Sequence, residues 1–388
     1  MRVAFLSYDG LTDPLGQSQI LPYMTGLALM GHNISIFSFE KAERYRNLRE
    51  KIQNLCVECS IEWIPLTYHK DPPILSTIMD LFRLRLTLRK HHQKKPFDII
   101  HCRSYPTSII GQWMKTTFGT KFIFDMRGYW ADERVEGGLW NLKNPVYYFI
   151  YKYFKRKEQD FLITADYVVS LTQSSRNEMY ARNIRKGPIA VIPTCVDLDL
   201  FNPAKVKEED RQSLKANLGI GDEFVMLYLG SWGTWYLGDQ MMEFFGEFKK
   251  MKPDAKLLIV STDRIRTEHL WFKSDIILTE STRERVPVFI SIASASLFFI
   301  KPTFSKTGTY ATKMGEIMAM NVPIITNPGW GDAERIVHEA GGYLNTDPRT
   351  MHMIVAEEKI QTREYCTQHL SLDSGISKYN EIYNSIKV

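Results

Sequence analysis

The feature that most constrains this chain is an alternation that runs through it twice. Short β-rich runs at residues 3–7, 34–39, 61–65, 99–102, 122–125, 167–171 and 190–193 are separated by stretches of helical period, such as 20–30 and 74–94. The pattern restarts with runs at 224–229, 257–260, 276–278, 297–300 and 322–326, and helical stretches at 240–250 and 314–320 lie between them. Such alternation predicts parallel sheets with helices on both faces. A polar, proline-punctuated segment, FNPAKVKEED at 201–210, marks a boundary near residue 200. The expected fold class is α/β, with two doubly wound domains facing a cleft: residues 1–198 and 199–371. The first is completed by a C-terminal helix at 372–388, where SKYNEIYNSI has helical period. At 388 residues the chain is too long for one ordinary core, although length alone would also admit a single large α/β barrel. In doubly wound sheets ligands bind outside the carboxyl ends of the strands.

Hydrophobic residues at 44% and charged residues at 24% make the chain globular rather than disordered. A net charge of +5 is mild for this length. It does not by itself indicate a nucleic-acid binder, and none is expected; it suits anionic ligands or an anionic membrane surface. The apolar run at 1–7 is too short for a signal peptide, and no window reaches the roughly 18 apolar residues of a spanning helix. The expectation is a cytoplasmic chain, or one held peripherally on the inner face of the cell membrane. Five scattered cysteines fit a reducing compartment. Cys56 and Cys59 form a lone C-x-x-C in a stretch that alternates like the start of a strand. Without a second Cys or His pair at zinc spacing they are read as structural, not as metal ligands.

Three strand exits carry ligand chemistry. Residues 8–19, YDGLTDPLGQSQ, form a loop that opens a helix, and its Gly16 and Gln17 suit an anion at a helix N-terminus. An ordinary strand-to-helix turn is the other reading. The loop is not G-x-G-x-x-G, which argues against a dinucleotide oxidoreductase. Residues 230–238 supply Gly230, Ser231, Trp232, Gly233 and Thr234, small and hydroxyl groups fit for a phosphate cradle, with aromatic rings that could stack on a ligand or simply pack. Residues 301–326, KPTFSKTGTYATKMGEIMAMNVPIIT, bring Lys306, Thr309, Thr312 and Lys313 to a helix starting near Lys313. That is an oxyanion and phosphate site. Glu316, placed in the first helical turn, is either a surface acid or a carboxylate accepting two sugar hydroxyls.

His101, Arg103, Asp125, Arg127, Asp132, Glu133 and Arg134 follow two adjacent strands and should meet on one wall. Asp125 and Arg127 are the strongest candidates there for a catalytic role. Asp197 and Asp199 spell D-x-D, but no nucleotide loop precedes them, and a metal site there is rejected. Residues 74–95 and 144–161 interleave basic with apolar or aromatic side chains. They are either membrane-surface helices or sheet-covering helices with solvated basic faces.

The 301–326 segment resembles the donor-binding signature of family 4 retaining glycosyltransferases: Thr-Lys, Glu three residues later, a small-residue turn, Pro and an apolar strand. DGLTDPLGQSQILP at 9–22 with Gly31-His32, FDMRGYWADER at 124–134 and VIPTCVD at 191–197 resemble a bacterial polysaccharide-assembly branch of that family. The resemblance implies the GT-B architecture of two Rossmann-like domains. It implies that Glu316 holds the nucleotide ribose. Lys313 and Lys306, with the Gly16 and Gly230 loops, would hold the diphosphate. The loop before Val286 would contact the base, and Asp125 stands where many relatives place a histidine that reads the transferred sugar. Asp9, His101, Arg103, Asp132, Glu133 and Arg134 fall on the acceptor side. Two positions depart from the pattern. Gly308 stands where many members have a second glutamate, and residues 231–238 hold no Lys or Arg, for which Arg264 is the candidate substitute.

The implied reaction transfers a hexosyl unit from a nucleotide diphosphate sugar to a hydroxyl of a lipid-linked glycan in surface polysaccharide biosynthesis. It would retain configuration and need no metal or other cofactor. A nucleotide-sugar 2-epimerase and a non-catalytic scaffold for a partner transferase are the alternatives.

Overall fold

The computed structural model describes residues 1–185, 187–345, 350–355 and 361–386. In chain order its main elements are β1 (Arg2–Ser7), α1 (Pro14–Gln19), α2 (Leu21–Leu29), β2 (Asn33–Glu40), α3 (Ala42–Glu58), β3 (Glu62–Thr67), α4 (Leu75–Lys94), β4 (Ile99–Arg103), α5 (Ser104–Phe118), β5 (Lys121–Asp125), α6 (Trp130–Glu136), α7 (Pro145–Thr164), β6 (Tyr167–Ser170), α8 (Gln173–Ala181) and β7 (Ile189–Val191). There follow α9 (Glu208–Leu218), β8 (Val225–Leu229), α10 (Gly238–Met251), β9 (Lys256–Val260), β10 (Ile276–Thr279), α11 (Val286–Ser291), β11 (Ala295–Leu297), α12 (Thr312–Ala319), β12 (Ile324–Thr326), α13 (Ala333–Ala340), β13 (Tyr343–Leu344), α14 (Thr350–Val355), α15 (Thr362–Tyr365) and α16 (Leu372–Ser385).

The chain divides into two compact units, Met1–Pro193 with Leu372–Val388, and Thr194–Ser371. The first holds a seven-stranded sheet in the order β3-β2-β1-β4-β5-β6-β7, the second a six-stranded sheet in the order β10-β9-β8-β11-β12-β13. The strand pairs in both are parallel. Each is a doubly wound, Rossmann-like sheet. The central strands β1, β4, β5 and β8 are near-continuous apolar runs because helices cover both of their faces. Each Leu, Ile or Phe buried there contributes about 1.5–3 kcal/mol. Strand order reverses between β1 and β4 in the first sheet and between β8 and β11 in the second, which marks a ligand crevice in each.

Several local expectations give way. The helical stretch at 20–30 is split: α1 ends at Gln19, Ile20 is non-helical, and Pro22 opens α2. Cys56 and Cys59 do not start a strand. Cys56 lies on the buried side of α3, four residues after buried Ile52, and Cys59 caps the helix. The strand expected at 297–300 ends at Leu297, because the side-chain amide of Asn327 replaces a backbone partner. Ile300 N–H donates to Asn327 Oδ1 at 2.7 Å, and Asn327 Nδ2 donates to Ile300 O at 2.8 Å. The short β13 was missed. The C-terminal helix expected at 372–388 is α16, and residues 387 and 388 lie outside the described residues. α16 packs on α2, where a Cβ on Gly26 would stand 2.3 Å from Ile376 Cδ1.

Candidate functional site

Polar side chains gather at the reversal point of each sheet, and the two groups are built differently.

In the amino-terminal unit the parallel register sets Ser7, Arg103 and Asp125 level at the ends of β1, β4 and β5. Alternation along β4 turns His101 and Arg103 to one face. There α16 presents Tyr379 and Tyr383, one helical turn apart. The Tyr379 hydroxyl donates to Asp125 Oδ2 at 3.1 Å, and Tyr383 Oη lies 2.8 Å from His101 Nδ1. His101 Nε2 is 3.6 Å from Asp125 Oδ2, and Arg127 Nη1 is 3.9 Å from Asp125 Oδ1. Arg103 Nε approaches the exposed Asp9 carboxylate at 3.5 Å. Burial would push the Asp125 carboxyl up, but Arg127, His101 and Arg103 outweigh it and hold it below the usual carboxylate range. Burial depresses His101 and favours the neutral ring, against the pull of Asp125. Arg127 sits at φ +57, a left-handed backbone uncommon for a non-glycine residue.

The structure thus brings Asp9, His101, Arg103, Asp125 and Arg127 together. Asp132 turns instead to α7, accepting from Tyr151 Oη at 2.9 Å and Lys155 Nζ at 2.7 Å. Glu133 is half-buried on α6, and the Arg134 guanidinium lies 4.9 Å from the centre of the Trp130 ring. Sequence reasoning missed Tyr379 and Tyr383, although their four-residue spacing in a helical stretch placed them on one face.

The loop at 8–19 holds itself together. Glu40, buried at the end of β2, accepts from Leu11 N at 2.8 Å, Thr12 N at 3.1 Å and Ser38 Oγ at 2.6 Å. Gln17 Nε2 donates to Thr12 O at 3.2 Å. A Cβ on Gly16 would lie 2.0 Å from Gly10 O and 2.7 Å from Leu11 Cα, so this glycine is needed by its own loop. Gly16→Ala should therefore cost about 1–3 kcal/mol or more by overpacking against backbone. A melting temperature equal to that of the wild type would show that the loop yields instead.

The second unit has the more exacting site. Gly230, Gly233 and Thr234 all take positive φ, turning the chain sharply after β8. Ser231 is exposed, and Trp232 N–H donates to Asp263 Oδ2 at 2.6 Å while its ring fills the space beside Gly238. Arg264, next along that loop, is exposed. α12 starts at Thr312 after Ala311, an N-cap residue that offers no side-chain oxygen to the first-turn N–H groups. Lys313 points into a box of rings. Its Nζ is 3.9 Å from the centroid of Tyr236 and 4.3 Å from that of Tyr228. It is buried with no hydrogen-bond partner among the described residues. A Cβ on Gly230 would meet it at 3.1 Å. Burial lowers the Lys313 ammonium to about 7, with Glu316 pulling the other way. Lys306, in the turn Phe304–Gly308 that ends just before Thr309, holds its ammonium 3.6 Å from the centroid of the Trp235 ring.

Glu316 is a correction. It is the fifth residue of α12, not in the first turn, and it is 7% exposed, not a surface acid. Its Oε1 accepts from Arg283 Nη1 at 2.9 Å. Burial pushes its carboxyl up, opposed by Arg283 and Lys313. Arg283 lies in the turn just before Val286 and was not singled out from the sequence. The charged run Arg283-Glu284-Arg285 in that loop was the available signal. Asp197 and Asp199 form a turn in which Asp197 Oδ1 accepts from Asp199 N at 2.9 Å and Leu200 N at 3.0 Å.

Residues 21–200 match the model of Glycosyltransferase Family 4. No curated protein matches the chain by sequence. Among solved structures it is similar to sucrose-phosphate synthase from Thermosynechococcus elongatus, with a TM-score of 0.71 at 15% identity, covering 100% of this chain and 99% of that one. It is similar to Anabaena HepE in complex with UDP-glucose, with a TM-score of 0.67 at 12% identity, covering 99% and 100%. WaaG, a glycosyltransferase involved in lipopolysaccharide biosynthesis, gives a TM-score of 0.59 at 14% identity, covering 98% and 95%. The chain therefore resembles the family 4 glycosyltransferases and has their GT-B fold.

Proposed function

We propose that this protein transfers a hexosyl unit from a nucleotide diphosphate sugar to a hydroxyl of a lipid-linked glycan, in surface polysaccharide assembly on the cytoplasmic face of the membrane. The observation that carries the reading is the buried Lys313 ammonium, without a hydrogen-bond acceptor among the described residues, set beside the Gly230 turn at the start of α12, whose N-cap residue is an alanine. A buried cation without an acceptor is costly, and a diphosphate would relieve that cost. The UDP-glucose bound by HepE, on the same fold, and the lipopolysaccharide role of WaaG support the donor and acceptor classes.

The barrier to such a transfer is departure of the diphosphate from an oxocarbenium-like carbon. Lys313, with Lys306 and the α12 N–H groups, would stabilise the leaving oxyanions as they develop charge. Glu316, oriented by Arg283, would take the ribose hydroxyls. Arg103 and Arg127, beside Asp9 and Asp125, would hold the acceptor side. Retention of configuration follows if the leaving phosphate itself takes the proton of the acceptor hydroxyl, and no separate general base is assigned. The protein groups proposed to hold the diphosphate, Lys313, Lys306 and the α12 N–H groups, are cations and donors, which are poor ligands for a hard cation, so the proposed mechanism is metal-independent.

The test is incubation with labelled nucleotide sugars, with and without excess chelator. Slow release of nucleoside diphosphate, unchanged by EDTA, is expected. Isomerisation of the sugar would return the epimerase reading, and absence of binding the scaffold. Loss of turnover in EDTA, restored by magnesium or manganese, would overturn the metal-independent route.

A further inference from the structure

α4 and α7 carry their amphipathicity the wrong way for helices on a water-facing surface. On α4 the inner positions Ser76, Asp80, Leu84, Leu88 and His92 are buried, four residues apart. The outer side exposes Leu75, Ile78, Met79, Phe82 and Leu86, each between 46% and 58%. On α7 Glu158, Phe161 and Leu162 face inward, while Val146, Phe149 and Tyr153 are exposed. An ordinary surface helix keeps polar residues on its outer face.

The fold gathers these two faces. α4 packs on α5 and α5 on α7, so all three lie on one face of the seven-stranded sheet. α4 leaves the end of β3, and α6 and α7 follow the end of β5. Their first turns therefore start from the carboxyl edge of the sheet, where Asp9, Arg103, Asp125 and Arg127 lie. Most of the exposed apolar residues, Leu75, Ile78, Met79, Phe82, Val146 and Phe149, sit in the first two turns of each helix. Of the exposed basic residues, Arg83 is engaged by His69 and Arg85 by the Trp113 ring, while Arg89, Lys90 and Lys94 on α4 and Lys152 and Arg156 on α7 come later. The charge offered to solvent is almost all positive. Asp80, the one acid of α4, is buried and bonded to His69 Nδ1 at 2.6 Å and Tyr8 Oη at 3.1 Å. Glu158 is buried, and Asp160 pairs with Lys157 at 3.4 Å. Lys155 is also engaged, with Asp132 and Glu158, so it is not part of the free basic set.

We propose that the outer faces of α4 and α7 form one docking surface for an anionic bilayer. The apolar side chains of the first two turns enter the acyl boundary, and basic residues including Arg89, Lys90, Lys152 and Arg156 meet lipid phosphates. A helix pair that exposes apolar groups and cations, with scarcely an acid, is complementary to such a surface. No described helix is long and apolar enough to cross a membrane, so the contact is peripheral. The surface rests on these two helices alone. Joined to the transfer reading, it puts the sheet edge proposed for the acceptor at the layer where a lipid-linked glycan begins.

The experiment is co-sedimentation of the full chain with vesicles of phosphatidylcholine alone or mixed with phosphatidylglycerol, free of any glycan. It uses the wild type, an apolar variant (Ile78→Ser, Phe82→Ser, Phe149→Ser) and a charge variant (Arg89→Glu, Lys90→Glu, Lys152→Glu, Arg156→Glu). The wild type should bind the anionic vesicles and lose binding as salt rises. Each variant should bind at least about tenfold more weakly, with unchanged melting temperature and nucleotide affinity, since all seven side chains are exposed. Equal sedimentation of the three proteins overturns the proposal. So does a wild type that ignores vesicles but self-associates in a way the apolar variant abolishes, which would make the face an interface between copies. Failure of the transfer reading would appear separately, as absent nucleotide-sugar turnover with vesicle binding intact.

Discussion

Lys313→Met should lower donor turnover by about 100- to 1000-fold, the usual loss on removing one oxyanion-stabilising group, while raising the melting temperature at neutral pH. The two effects share one cause. The Lys313 ammonium is held among the Tyr228 and Tyr236 rings without a hydrogen bond, and burial brings it from 10.5 to about 7. Between those values the unfolded chain binds a proton that the folded chain lacks, so the lysine makes stability rise with pH over that window. Below about 7 the folded protein bears the full cost of burying the charge, which amounts to a few kcal/mol at 1.36 kcal/mol for each pKa unit. Methionine fills a similar volume among aromatic rings without a charge. The variant should melt higher at pH 7 and lose the stability gain between pH 7 and 10. In the wild type, a bound diphosphate would pull the ammonium back up, so nucleotide binding at pH 8 should take up a proton. Scanning calorimetry across pH, with titrations in two buffers of different ionisation enthalpy, reads all of this. A variant that melts lower, or binds nucleotide as tightly as the wild type, would remove Lys313 from the donor site.

Glu316→Ala should weaken nucleotide-sugar affinity by about 1–3 kcal/mol, the range for hydrogen bonds to a charged group, or roughly 5- to 150-fold. Because Glu316 is buried and bonded to Arg283, the fold should also lose about 1 kcal/mol. The loss stays modest because the Arg283 side chain is 39% exposed and water can solvate it. Arg283→Ala should cost less donor affinity than Glu316→Ala, since the carboxylate remains on a rigid helix. Titration calorimetry of both variants decides the matter. If Arg283→Ala proves the more damaging, the guanidinium rather than the carboxylate is the group that meets the nucleotide.

The sequence by itself determined what depends on local pattern. Two series of apolar runs with helices between them bury their faces as parallel sheets covered by helices, and the polar break near residue 200 divides them into two. The residues before and within α12, from Lys306 to Glu316, could be singled out as a candidate anion site because hydroxyls, lysines and a helix start lie close together in the chain. Tertiary structure alone decided whatever depends on partners far apart in sequence. Glu316 read as a first-turn acid, and only the packing of the turn at 283–285 against α12 buried it on Arg283. Asp125 and His101 were visible, but the tyrosines that hold them come from α16, more than 250 residues downstream. Gly16 looked open to a ligand until the fold of its loop put Gly10 O where a Cβ would go. For residues 74–95 the sequence left a membrane-surface and a sheet-covering helix equally open, since which face of a helix is buried is set by the sheet it packs on and not by its own period.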